Sequence, residues 1–89
     1  MNVYKYELEI TDEQTIRLPF AAEILDVQMQ GHKCCLWALV DPQNEIEDRT
    51  IRIHGTGHPI PNGIKLKYIS TFQIAHLGLV FHAFEKKNC

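Results

Sequence analysis

Tyr4-Lys-Tyr-Glu-Leu-Glu-Ile10 decides the fold class. Tyr4, Tyr6, Leu8 and Ile10 alternate with Lys5, Glu7 and Glu9. That period of two puts apolar side chains on one face of an extended segment and charges on the other. The same period recurs along most of the chain. Thr11-Asp-Glu-Gln14 reads as a turn, after which Ile16 and Leu18 alternate up to Pro19. Leu25, Val27 and Met29 face one way, with Asp26, Gln28 and Gln30 opposite, and Gly31-His-Lys33 makes a short hairpin loop. Ile51 and Ile53 point inward while Thr50, Arg52 and His54 point outward. Leu66, Tyr68, Ser70, Phe72 and Ile74 form a long strand, His76-Leu-Gly78 a turn, and Leu79 to Phe84 the last strand.

Cys34-Cys-Leu-Trp-Ala-Leu-Val40 departs from the alternation by being apolar at every position. It reads as a central strand covered on both faces. Asp41-Pro-Gln-Asn44 ends it, Ile46-Glu-Asp48 is expected to be an exposed loop, and residues 85–89 a frayed tail. Phe20 to Ile24 has room for one helical turn at most, and no longer segment shows the i, i+3, i+4, i+7 spacing. Six or seven short strands, about 10 residues apart, predict an all-β fold: a small antiparallel β-sandwich or barrel.

The 89 residues make one domain, 1–89, with no room for a second core. Surface scaling predicts about 5,300 Å² exposed when folded, against about 15,000 Å² for the extended chain, a small core that self-association would reinforce. The net charge of −2, with no block of like charges, argues against nonspecific nucleic-acid or membrane-surface binding. Neither MNVYKYELEIT nor any later stretch has an apolar run of signal-peptide or membrane-spanning length. Three cysteines is an odd number, and the adjacent Cys34 and Cys35 point to opposite faces of a strand. A reducing cytoplasm is the expected location.

The site candidate is His54-Gly-Thr-Gly-His-Pro-Ile-Pro61, just past a strand end. The candidate ligand-binding residues are Arg52, His54, Gly55, Thr56, Gly57 and His58. Arg52 would supply charge, and the loop amides with the Thr56 hydroxyl would hold a phosphate. The loop lacks the lysine and following helix of a P-loop. Its other reading is a rigid connection that needs positive φ at Gly55 and Gly57, stiffened by Pro59 and Pro61. No metal site is expected, because His32, Cys34 or His82 would have to complete it from other strands and there is no Cys-x-x-Cys pair. No cofactor is implied.

Cys34 and Cys35 are expected to be core thiols, inert through burial, with Cys89 exposed. Glu45, Glu47 and Asp48 read as solvated loop charges rather than an acid/base pair. Trp37, Phe72, Phe81 and Phe84 are assigned to the core. Tyr4 and Tyr6 lie on a strand that suits a sheet edge, a surface for strand addition or dimerisation. The apolarity of both faces of Cys34–Val40 adds to the case for a homo-oligomer.

Beyond these local readings, the chain resembles a family of short phage- and prophage-encoded proteins. The resemblance is carried by Ile10-Thr-Asp-Glu-Gln-Thr-Ile16 with Leu18-Pro19, by Leu36-Trp-Ala-Leu-Val-Asp-Pro42, and by Arg52-Ile-His-Gly-Thr-Gly-His-Pro-Ile60. It continues through Tyr68-Ile-Ser-Thr-Phe-Gln73 and Leu79-Val-Phe-His82 to Phe84-Glu85. It brings no catalytic residue with it. It implies a non-enzymatic binding protein in the host bacterial cytoplasm, occupying a host protein or defence complex in the manner of an anti-CRISPR inhibitor. The alternative function is sequestration of a nucleotide or other phosphorylated molecule at the His54–His58 loop.

Overall fold

The computed structural model of the chain describes residues 1–87. Seven strands follow one another: β1 (Asn2–Leu8), β2 (Gln14–Pro19), β3 (Glu23–Gln30), β4 (Lys33–Val40), β5 (Ile46–Gly55), β6 (Lys65–Ile74) and β7 (Leu79–Lys87). One 3₁₀ turn, Ala75–Leu77, joins β6 to β7. All pairings are antiparallel, in a three-stranded sheet ordered β1-β4-β3 and a four-stranded sheet ordered β2-β5-β7-β6. Among the described residues no helix is long and apolar enough to cross a membrane.

Local chemistry sets the connections. Gln30 pairs with Lys33, leaving the two-residue turn Gly31-His32, and Gly31 takes the positive φ of 60° such a turn requires. Between β1 and β2 the Gln14 side chain closes the loop: Glu9 N–H donates to its Oε1 (3.0 Å) and its Nε2 donates to Glu9 C=O (2.6 Å).

The central strand expected at Cys34–Val40 is β4. Its even residues, with Val27 of β3, pack against Leu18, Ile51, Ile53, Phe72 and Ala83 of the other sheet in one core. Cys34 belongs to that core, and burial, with the neighbouring Cys35, pushes its thiol up to about 11. Cys35 faces the other way, between Glu7 and Gln28 on the neighbouring strands, yet only 2% of it is exposed. Both cysteines are free. The second apolar face of β4 is therefore covered at Cys35 within a single chain, while Trp37 and Leu39 are half-buried on it.

The two sheets meet along β3 and β6. There Ser70 Oγ donates to Val27 C=O (2.7 Å) and accepts from Val27 N–H (3.2 Å), and Gln28 Nε2 donates to Thr71 C=O (3.4 Å). A side chain stands in for the ladder that would otherwise merge the sheets. Ser70→Ala is expected to cost about 1–3 kcal/mol in a denaturant titration, because it leaves the Val27 carbonyl buried and unpaired. A loss below about 0.5 kcal/mol would mean that packing alone holds the seam. The Cα trace measures 40 × 34 × 15 Å, and its flatness suits an accessible surface of 5839 Å², somewhat above the scaling expectation.

Three expectations are corrected. Ile46-Glu-Asp48 is not a loop but the start of β5, pairing with Pro19, Leu18 and Arg17. Its charges have local partners that alternation does not register: Glu47 accepts from Ala21 N–H (2.9 Å) and Asp48 lies 3.7 Å from Arg17. Residues 85–87 are not a frayed tail but the end of β7, with Glu85 buried among polar partners. Residues 88–89, including Cys89, lie outside the described residues. Finally, β6 does not keep one face throughout. A bulge at Ile69 places Tyr68 opposite Phe84 but Ser70 opposite Ala83, so Leu66 and Tyr68 face outward while Ser70 and Phe72 face the core.

Candidate functional site

Arg52 and His54 share one face of β5, as alternation requires, but that face is occupied. β7 places Phe84 opposite Arg52 and His82 opposite His54. The Arg52 guanidinium donates through Nη1 to Glu13 (2.6 Å) and through Nε to His54 Nε2 (3.1 Å). Lys86 also reaches Glu13, at 3.4 Å, and with Arg52 it holds the Glu13 carboxyl below its usual range. His54 is only 4% exposed, its ring edge-on to Phe84 at 6.0 Å. Burial and the Arg52 charge push its imidazole below the usual histidine value. Because Nε2 accepts from Arg52, the neutral ring carries its proton on Nδ1.

His54 thus points away from the core, as alternation predicts, but is covered there by its neighbours rather than open to solvent, and Phe84 is not in the core. Phe84 lies half-buried on the outer face of the four-stranded sheet, between His54 and Tyr68, whose ring centroid is 5.8 Å away. Trp37 is likewise half-buried on the outer face of the other sheet, whereas Phe72 and Phe81 do pack in or against the core.

Glycine fits positions 55 and 57 for different reasons. Gly57 takes φ 85°, the expected left-handed turn position. Gly55 does not have positive φ. It is confined by a close approach instead: a Cβ there would sit 2.8 Å from His58 Nδ1. Thr56 N–H donates to Val80 C=O (3.1 Å) and His58 N–H to Gly55 C=O (3.0 Å). Two of the amides that an anion would need are thus already donating within the fold.

The loop joins a side-chain array that the sequence alone did not suggest. Thr56 Oγ1 lies 2.8 Å from His82 Nε2, Thr71 Oγ1 lies 3.0 Å from His82 Nδ1, and Tyr68 Oη lies 2.7 Å from Thr71 Oγ1. Hydroxyls at both ring nitrogens satisfy either tautomer of His82. The members come from β6, β7 and the loop after β5, so only cross-strand register unites them. Among the described residues no group of three or more His, Cys, Asp or Glu side chains is arranged to hold a metal ion.

Beside this array lies a pocket of about 250 Å³. Gly55, Thr56 and His58 form one wall, and Gly78, Leu79 and Phe81 the other. Leu77 and Leu79 flank its turn and Ile60 follows the loop, all substantially exposed. A broader hollow of about 370 Å³, between Glu7, Glu9, Met29 and His32, opens beside the β3–β4 turn. Of the charges bordering it, Lys33 and Glu7 are paired at 3.2 Å.

One protein-family profile, described as a domain of unknown function (DUF7352), matches residues 1–89. The chain belongs to that family. No curated protein and no solved structure matches it. For the DUF7352 domain, the functional reading accordingly rests on the geometry of the loop end: polar groups committed to one another around a mainly apolar pocket.

Proposed function

We propose that this domain is a non-enzymatic binding protein that seats an apolar side chain of a partner protein in the pocket beside the 54–61 loop. One observation carries the reading. Arg52, His54, Thr56 and His82 are each hydrogen-bonded to other side chains of the fold, while the adjoining pocket is lined largely by carbon and includes the exposed Leu79. Exposed apolar surface around a concavity is what a protein partner buries. A nucleotide or other phosphorylated ligand is less well served there, since Arg52 is paired with Glu13 and two of the loop amides, those of Thr56 and His58, already donate within the fold. The biological setting of this proposal is a phage-encoded protein in the host bacterial cytoplasm that occupies a host protein or defence complex.

Affinity capture from a lysate of the organism that carries the domain tests it. The wild-type chain should recover one stoichiometric partner, and Leu79→Glu should recover at least about tenfold less, because it places a charge in an apolar contact. The variant's melting temperature serves as the folding control. Undiminished capture by a folded Leu79→Glu would move the contact elsewhere on the surface. A wild-type melting temperature that rises with a nucleotide, together with no captured protein, would favour the small-ligand function instead.

A further inference from the structure

The three-stranded sheet has two borders, and they are treated differently. Its β3 border is sealed against β6 by the Ser70 and Gln28 bonds. Among the described residues its β1 border has no neighbour beyond β4. β1 pairs with β4 in unbroken register from Asn2 to Leu8, so no bulge turns the edge away. It contains no proline and one lysine, and Met1 and Val3 are 76% and 57% exposed. β2, the free edge of the other sheet, ends in Pro19 and carries Arg17 on its surface. An unguarded edge is a template for another strand.

The sequence of β1 selects that strand. Tyr4-Lys-Tyr-Glu-Leu8 is charge-complementary to its own reverse about Tyr6. Antiparallel self-pairing in that register puts Lys5 opposite Glu7 twice, Tyr4 opposite Leu8 twice, and Tyr6 opposite Tyr6. Outer-face residues meet outer-face residues and core-face residues meet their own kind. Neighbouring registers lose this. Centring on Lys5 sets lysine against lysine, centring on Glu7 sets glutamate against glutamate, and a shift by one sets charges opposite aromatic or aliphatic side chains. Like charges directly opposite on a sheet are destabilising, and opposite charges and aromatic pairs are favourable.

We propose that β1 is a homodimer interface: the β1 edges of two copies of this chain pair antiparallel about Tyr6, joining two three-stranded sheets into one six-stranded sheet. The contact is isologous, so Lys5 of each copy meets Glu7 of the other. It uses a different surface from the loop pocket and does not depend on that reading.

Charge reversal tests both the surface and the register. Sedimentation equilibrium of the wild-type chain should show a monomer–dimer equilibrium. Lys5→Glu alone and Glu7→Lys alone should each raise the dimer Kd by about tenfold or more, since two attractive pairs become two repulsive ones. The double variant Lys5→Glu/Glu7→Lys should restore wild-type dimerisation, and an equimolar mixture of the two single variants should form a heterodimer. Within one chain Lys5 contacts Gln30 and Glu7 contacts Lys33 only at the surface, so every variant should remain folded, with the single variants losing only the stability that dimerisation adds. A wild-type chain that stays monomeric up to its solubility limit overturns the proposal. So do folded single variants that dimerise as well as wild type, or a double variant that fails to recover.

Discussion

Phe72→Ala is expected to remove about 3–5 kcal/mol of folding stability. Phe72 is 1% exposed and is the largest of the fully buried side chains. Its ring stacks on Phe81 of the adjacent strand, with centroids 5.8 Å apart and planes 26° from parallel. It belongs to the cluster that includes Leu36 and Val27 of the facing sheet, so the substitution opens a void between the layers rather than at a rim. Small domains are stable by roughly 5–15 kcal/mol in all, so the variant should sit near the limit of folding at room temperature. Urea titration would show the midpoint falling with little change in slope. A loss below about 1 kcal/mol would mean that Phe72 does not fill the space between the sheets.

Arg49→Met should cost about as much, by a different route. Arg49 and Glu85 form a two-pronged ion pair at one end of the core, in which Arg49 Nε and Nη2 donate to the two Glu85 oxygens. Arg49 Nη1 also donates to Ala22 C=O at 3.0 Å. Removing the cation strands a buried carboxylate, a change that costs about 3–5 kcal/mol at neutral pH. The double variant Arg49→Met/Glu85→Leu should recover most of this, since it removes both charges.

The pH dependence distinguishes this effect from simple loss of packing. Burial pushes the Glu85 carboxyl up, but the hydrogen bonds from Arg49 and Lys87 outweigh it, and its folded value is depressed. A depressed acid contributes stability that is present above its unfolded value and is lost as pH falls through its folded value. The wild-type chain should therefore weaken on acidification below the ordinary carboxylate range. In Arg49→Met, burial acts with its main counterweight gone, and the folded value rises above the unfolded one. That contribution changes sign: it is present in acid and lost as pH rises. Relative to wild type, the variant's melting temperature should recover between about pH 7 and pH 4. Parallel profiles for the two proteins would show that the Arg49–Glu85 pair does not set the charge state of this end of the core.

The site was legible to the extent that it follows from local rules. Gly57 at positive φ is a property of a tight turn, and the shared face of Arg52 and His54 is a property of strand parity. What parity cannot supply is which face another strand's residues will occupy. His54 is buried because Phe84 stands beside it and Arg52 is drawn across to Glu13. The His82 array was invisible for the same reason, since Thr56, Thr71 and His82 are brought together only by the β6–β7 register and the loop contact with Val80. Sequence alone points to a φ requirement at Gly55, because glycine's freedom is a local property. The His58 ring that actually confines it arrives through the folding of the loop.

The apolar pattern by itself determined that this protein is all-β, that β4 is a central strand, and that Cys34 is a core thiol. Each of these follows from the period-2 geometry of an extended chain or from how much apolar surface a segment must hide. Tertiary structure alone decided the division into three and four strands, the side-chain seam at Ser70, and the inward pairing of Arg49 with Glu85. It also decided the switch of face at Ile69, where a single unpaired residue reverses the parity that the sequence displays. The reason is physical: periodicity records which side chains share a face, whereas burial depends on register, and register is settled only when distant strands meet.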